Sequence, residues 1–155
     1  MNSSLRKIRS IANYQFGKNA GITLFTEETE ILFSRTTGRI RFVKLNGKRL
    51  ATLRPTDGLF SISILAGLLL IEKRKMFRCF VNVQNDVTDP IVSGGDVFAV
   101  HVVKADEEIR AQNEVIILDE KNKVLAVGRA LLSGSEMLAL KTGVAVKVRH
   151  GRKES

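Results

Sequence analysis

The sequence predicts an α+β chain in two parts: a small N-terminal α+β domain and a mostly β domain with short helices. Two observations carry this. Between Asp96 and Gly151 four apolar runs of strand length (DVFAVHVVKAD, EVIILDE, VLAVGRALL and GVAVKVRHG) are separated by turn residues, with one short helical candidate, Ser135 to Leu140, among them. Upstream, a helix-period stretch leads into short β-rich runs and a second helical stretch, and the charged segment Glu72 to Lys75 then marks a boundary. The expected domains are therefore residues 1–75 and 76–151, with 152–155 as a tail.

In chain order, Ser4 is positioned to cap a helix from about Leu5 to Phe16, in which Leu5, Ile8, Ala12 and Phe16 recur near the helical period. Arg6, Lys7 and Arg9 occupy its other face, and Gly17 stops it before a turn over Lys18 to Gly21. Ile31 to Ser34, Ile40 to Leu45 and Arg49 to Leu53 follow as strands, the last two joined by Asn46-Gly47, a strong hairpin signal. Ile40 and Phe42 alternate with Arg39 and Arg41, so the open face of that strand is cationic. Arg35, Lys44, Lys48, Arg49 and Arg54 extend the patch, which suits phosphate contacts and equally suits protection of a small sheet's edges. Pro55 and Gly58 close the sheet. Leu59 to Ile62 adds a strand, and Ser63 caps a helix from Ile64 to about Lys73 with little polar surface, expected to be buried.

The second part opens with a strand from Met76 to Val83. Asp89-Pro90 begins a helical turn that Gly94-Gly95 ends, and Val97 to Val103 reads as one strand. Val115 to Leu118 is apolar on both faces and so central, and Val124 to Leu132 is the next strand. Arg129 falls on the same face as Leu125 and Val127, a break in the pattern beside Gly128 that suggests a bulge turning a cation outward. In the last strand Val144, Val146 and Val148 fall on one face and Ala145, Lys147 and Arg149 on the other, with the cations directed outward.

Charge is sorted along the chain. The net charge is +9, and the first 75 residues, with 14 Lys and Arg against 5 Asp and Glu, carry all of it. Within the neutral remainder, Asp86 to Glu120 holds nine acids and two bases, whereas Lys121 to Ser155 holds eight bases and two acids. Such sorting suits a polyanion such as RNA or an acidic membrane surface, with a basic proteome or a solubility requirement as the alternative source. The longest apolar run, Leu59 to Ile71, contains Ser61 and Ser63 and is shorter than the ~20 residues a spanning helix needs. No apolar leader opens the chain, and the single cysteine, Cys79, fits a reducing cytoplasm. Neither a secretory route nor a membrane partner is expected.

Chemistry-bearing clusters are scarce. His101 and His150 are the only histidines and stand far apart, so no zinc site can be assembled with one cysteine. GxxxxGK[ST] and strand-linked GxGxxG are absent, and Asp106, Glu107 and Glu108 read as a solvated run. No catalytic constellation, metal or cofactor is expected.

DVFAVHVVKADEEIR, LAVGRALLSGSEML and GVAVKVRHG resemble the PUA domain, the RNA-binding module of pseudouridine synthases and archaeosine transglycosylases. RKIRSIANYQFGKNAG, SRTTGRIR and LATLRPTDGLFSIS resemble the small domain that precedes PUA in archaeosine tRNA-guanine transglycosylase of archaea. The resemblance implies a β pseudo-barrel whose RNA surface combines the first helix, the glycine loop after it, the second strand and the last strand. By position this points to Gly94, Gly95, Val97, Phe98, His101, Lys147, Arg149 and His150, with Arg129 added from its own strand pattern. The family implies a grip on the acceptor arm and 3′ end of tRNA: glycine-loop amides on phosphate, Phe98 on a base, and the cations along the backbone. The barrel with the transglycosylase's catalytic aspartates and zinc site has no counterpart in these residues, so the expected function is non-catalytic binding of tRNA or another structured RNA. A recruiting subunit for tRNA modification is one form of this, and a ribosome- or translation-associated docking module is the alternative.

Overall fold

In the computed structural model, which describes residues 2–154, the first helix is capped by Asn2 rather than Ser4. The Asn2 carboxamide oxygen accepts from the Ser4 N–H at 2.7 Å, so helix α1 (Ser3–Phe16) starts earlier than its apolar period suggests. The chain forms two compact units, Met1–Phe77 and Arg78–Ser155.

In the first unit Leu5, Ile8, Ala12 and Phe16 are buried on one face of α1. A second helix, α2 (Ala20–Leu24), begins inside the stretch expected to be only a turn. Asn19 adopts a left-handed conformation with no side-chain cap, so α2 depends on tertiary support. Gly21 supplies it: a Cβ there would lie 2.3 Å from the Arg9 carbonyl oxygen, and its N–H donates to Asn13 Oδ1 at 2.7 Å. Strands β1 (Glu30–Phe33), β2 (Ile40–Leu45), β3 (Lys48–Leu53) and β4 (Phe60–Ile62) form an antiparallel sheet in that order. The edge of β4 is closed by Gln15, whose carboxamide accepts from the Phe60 N–H at 2.6 Å and donates to the Phe60 carbonyl at 3.0 Å, as a neighbouring strand would. Helix α3 (Ile64–Ile71), capped by Ser63, buries Ile64, Ala66, Gly67 and Leu70 but leaves Leu68 exposed. The charged stretch after it winds into a short 3₁₀ turn, Arg74–Met76.

The second unit contains β5 (Phe80–Val83), α4 (Thr88–Val92), β6 (Val97–Phe98), β7 (Val102–Ala105), β8 (Glu114–Leu118), β9 (Val124–Ala130), α5 (Gly134–Ala139) and β10 (Val144–Gly151). Its sheet runs β6-β10-β9-β8-β5-β7, antiparallel except for the parallel pair β5 and β8. The run Val97 to Val103 is thus two strands at opposite edges of the sheet, separated only by the 3₁₀ turn Ala99–His101. Three residues reach at most ~10 Å, so the sheet must curl until its edges nearly meet, which gives a nearly closed barrel. Val81, Val83, Ile117, Leu125, Ala126 and Val146 fill its interior. β8 and most of β9 are buried on both faces, as the unbroken apolar runs require. Residues 152–154, expected as a tail, form a 3₁₀ turn, with Arg152 Nη1 donating to the Val124 carbonyl at 3.0 Å; Met1 and Ser155 lie outside the described residues.

Helix α5 has a capping box. Ser133 Oγ accepts from the Glu136 N–H at 3.2 Å, and Glu136 Oε1 accepts from the Ser133 N–H at 2.8 Å. The Ser133 N–H, with the Ser133 hydroxyl second, holds the Glu136 carboxyl below the usual glutamate range. A carboxyl lowered in the folded state stabilises above the unfolded-state pKa, and that contribution disappears as pH falls through the folded value. The protection factors of the α5 amides, their exchange measured against that of an unstructured chain at the same pH, are therefore expected to fall at acidic pH, with a smaller acid response in Glu136→Gln.

Candidate nucleic-acid interface

On the second unit the side chains of β10 and its two neighbours define the candidate surface. Val144 pairs with Phe98 on β6, and Lys147 pairs with Arg129 on β9. Arg129 is the one exposed residue of β9, and Lys147 is exposed opposite it, so two cations stand side by side across the strands. Asp96 fixes this edge: its Oδ1 accepts from the Val148 N–H at 3.0 Å, and its Oδ2 lies 3.6 Å from Lys147 Nζ. Phe98 is 48% exposed, with the His101 ring edge-on at a centroid distance of 6.4 Å. Phe98 pairs with Val144, three residues before Lys147 on β10, so an aromatic face and a pair of cations belong to the same strand edge, a combination that can stack a base and neutralise phosphate.

Four of the sequence-derived positions take other roles. The strict alternation expected for the last strand fails twice: at Ala145, which is buried like Val146 where the register against β6 shifts, and at a bulge between Val148 and His150, where the register against β9 shifts. His150 is consequently exposed, whereas Arg149 turns to Glu114 on β8 and grips its carboxylate with two guanidinium nitrogens, Nη1 to Oε1 at 3.0 Å and Nη2 to Oε2. Arg149 is therefore an internal ion-pair partner and not an outward cation like Lys147. Val97 is fully buried and offers no side chain to a ligand. The Gly94 and Gly95 amides are spent on closing α4, donating to the Ile91 carbonyl at 3.0 Å and the Pro90 carbonyl at 2.8 Å, which leaves neither for a phosphate. Glycine is needed there for geometry: Gly94 has φ of 102°, and a Cβ on Gly95 would sit 2.9 Å from the Pro90 oxygen. The bulge anticipated beside Gly128 lies on the opposing strand, β10.

The first unit has its own basic concavity. Lys7 on α1 joins Arg39 and Arg41 of the β1–β2 turn and β2, Arg49 of β3 and Arg54 after β3 around a groove of about 1370 Å³ that also exposes Phe33. Lys44 and Lys48 of the predicted patch lie outside it, while Arg35 lines a smaller adjoining cavity of about 300 Å³. The guanidinium carbons of Arg49 and Arg41 lie 3.9 Å and 4.8 Å from the Phe42 ring centroid, which orients both groups. Arg54 is paired with Asp57 at 2.9 Å. Partial burial raises the Asp57 carboxyl, but the Leu59 N–H and Arg54 more than offset this and hold it below the usual aspartate range. Lys7 and Phe33 were not among the sequence-derived site residues; the helix face containing Lys7 was legible, its convergence with β2 was not.

No group of three or more His, Cys, Asp and Glu suited to a metal occurs among the described residues, and no helix there is long and apolar enough to cross a membrane. Residues 80–152 match the family profile of the PUA domain. Residues 80–152 are thus a PUA domain. Ahead of its PUA domain, residues 6–76 match the patch-forming domain C2 of tRNA-guanine transglycosylase. The chain is 42% identical over 149 residues to the tRNA-guanine(15) transglycosylase of Pyrococcus abyssi, a match covering 96% of this chain and 25% of the relative. It is 36% identical over 148 residues to the enzyme of the same name from Methanothermobacter thermautotrophicus, covering 95% of this chain and 22% of that one. The chain thus spans about a quarter of the length of these relatives. Among solved structures, a hypothetical protein of Pyrococcus horikoshii OT3 superposes with a TM-score of 0.78 at 26% identity, covering 99% of this chain and 92% of that one. A conserved PUA domain protein from Thermoplasma acidophilum shares the fold, with a TM-score of 0.65 at 22% identity over 96% and 88% of the two chains.

Proposed function

We propose that this protein is a non-catalytic RNA-binding protein of the cytoplasm that holds structured RNA, first of all tRNA at its acceptor arm and 3′ end, in support of tRNA modification. The observation that carries the reading is the exposed Phe98, with the half-buried His101 edge-on to it, on the same barrel as the cross-strand cations Arg129 and Lys147, in a domain of the PUA family. Support also comes from the 42% identity to a protein named as a tRNA-guanine(15) transglycosylase, over the quarter of it that this chain spans. The basic first unit, from its sheet and groove, contributes electrostatic attraction.

Binding of the full chain to tRNA with and without its 3′ CCA, across a salt series, tests this. Arg129→Ala with Lys147→Ala is expected to weaken binding and to lower the salt slope by roughly 0.7 to 0.9 for each phosphate no longer neutralised. Both side chains are exposed, so folding should be unaffected. Unchanged affinity for tRNA would remove this surface from the site, and absence of tRNA binding at low salt would overturn the reading.

A second reading has its own observation: Val100, Val103, Leu138 and Leu140 are exposed apolar residues of the barrel unit. A docking module that joins a translation or modification complex through protein contacts would use them, and its partner would copurify after RNase treatment.

A further inference from the structure

We infer that the groove of the first unit is a second nucleic-acid site, which takes a single-stranded RNA segment with its phosphates along the arginines and one base splayed onto Phe33. This rests on the RNA-binding reading above and assigns a ligand class and a specific contact to a surface that would otherwise supply attraction alone.

Composition of the lining is the first argument. Five cations and no acid line the groove, and Lys7, Arg39, Arg41 and Arg49 have no carboxylate partner among the described residues. Cations that merely solubilise a sheet gain from interspersed acids; four converging without them are repelled from one another until an anion arrives. Size is the second. A groove of about 1370 Å³ exceeds the ~300–1,000 Å³ of small-molecule pockets, so an extended polyanion fits it better than a free nucleotide. The adjoining cavity of about 300 Å³, lined by Phe33, Arg35 and Arg41, is at the lower end of that range and suits one base.

The aromatic residues divide the work. Phe42 has its ring engaged by Arg49 and Arg41, so it serves to fix two guanidinium groups, and pre-set guanidinium planes lose less freedom on meeting a phosphate. Phe33, at the end of the edge strand β1, is 51% exposed and lines both cavities, which places an aromatic surface where the small cavity joins the groove. A phosphate track flanked by an open aromatic platform is how sequence-tolerant single-strand sites are built. Duplex RNA would have its bases stacked inside and leave Phe33 unused.

The test uses the full chain and a fluorescein-labelled uridine octamer, alongside tRNA. Arg39→Ala with Arg41→Ala is expected to weaken octamer binding and to lower the salt slope by about 1.4, at ~0.7 for each single-strand phosphate no longer neutralised. Phe33→Ala is expected to weaken it about ten-fold with the slope unchanged, and Phe33→Tyr to restore it, since stacking needs only the ring. Equal affinity of the groove variants and the unaltered protein for the octamer would overturn the inference, and loss of tRNA binding confined to the Arg129 and Lys147 variant would leave the RNA reading standing. Displacement of the octamer by polyglutamate as effective as by unlabelled octamer would also overturn it, assigning the groove to an acidic polypeptide.

Discussion

Arg149→Ala is expected to destabilise the barrel by about 3–5 kcal/mol, far more than removal of an exposed cation on a strand end would. The Glu114 side chain is completely buried, and its carboxylate is gripped by the guanidinium of Arg149, itself 31% exposed. Truncating the arginine leaves a buried charge uncompensated, and water must enter or a proton must be taken up. Arg149→Lys should recover only part of the loss, because an ammonium cannot reproduce the two-nitrogen grip. Glu114→Leu combined with Arg149→Met should recover more, since removing both charges leaves nothing to compensate. A chain of two units need not unfold in one step, so native-state hydrogen exchange of the β8 and β10 amides is the appropriate measurement. Exchange in Arg149→Ala as slow as in the unaltered protein would show that the pair supports nothing. A practical consequence follows for mapping RNA contacts: reduced RNA binding by an Arg149 variant reports a damaged barrel, whereas the Arg129 and Lys147 variant reports the surface.

What was legible in the sequence were the features set by local chemistry. The apolar period of α1, the Asn46-Gly47 hairpin and the doubly apolar β8 all appear where propensity and pattern put them. Features set by distant parts of the chain were not. Helix α2 follows an uncapped left-handed Asn19 and depends on the close approach of Gly21 to α1, which no window of residues 18–24 contains. The apolar run from Val97 to Val103 is continuous in sequence yet must cross the barrel opening, and only closure of the sheet reveals the turn inside it. The same holds for the site. Phe98 and Lys147 are positioned by strand pairing and His101 by the 3₁₀ turn that follows Phe98, but the direction of Arg149 depends on one extra residue at a bulge opposite a glycine of another strand. Charge sorting was visible without any fold: the first 75 residues carry the +9, and five of their cations converge on one groove.

That glycine is the second position of large expected effect. Gly128 pairs with Val148, and a Cβ on it would lie 2.3 Å from the Lys147 carbonyl oxygen and 2.9 Å from the Val148 Cα. Both are backbone atoms, so no side-chain rotation relieves the clash and β9 must move away from β10. The φ of Gly128 is not in the left-handed region, which makes the expected cost of Gly128→Ala steric, about 1–3 kcal/mol by analogy with overpacked cores. The functional cost should be larger than the stability cost suggests. Lys147 faces Arg129 and the bulge begins just beyond Val148, so separating the strands here disturbs the spacing of the two cations and the phase that turns His150 outward. At a temperature where the variant remains folded, tRNA affinity is expected to fall with no charge removed, and the β9 and β10 amides to exchange faster while those of the parallel β5 and β8 pair keep their rates. Unaltered exchange in β10 would mean that the strands accommodate the methyl group freely and that the close approach at Gly128 does not set the register of the cationic edge.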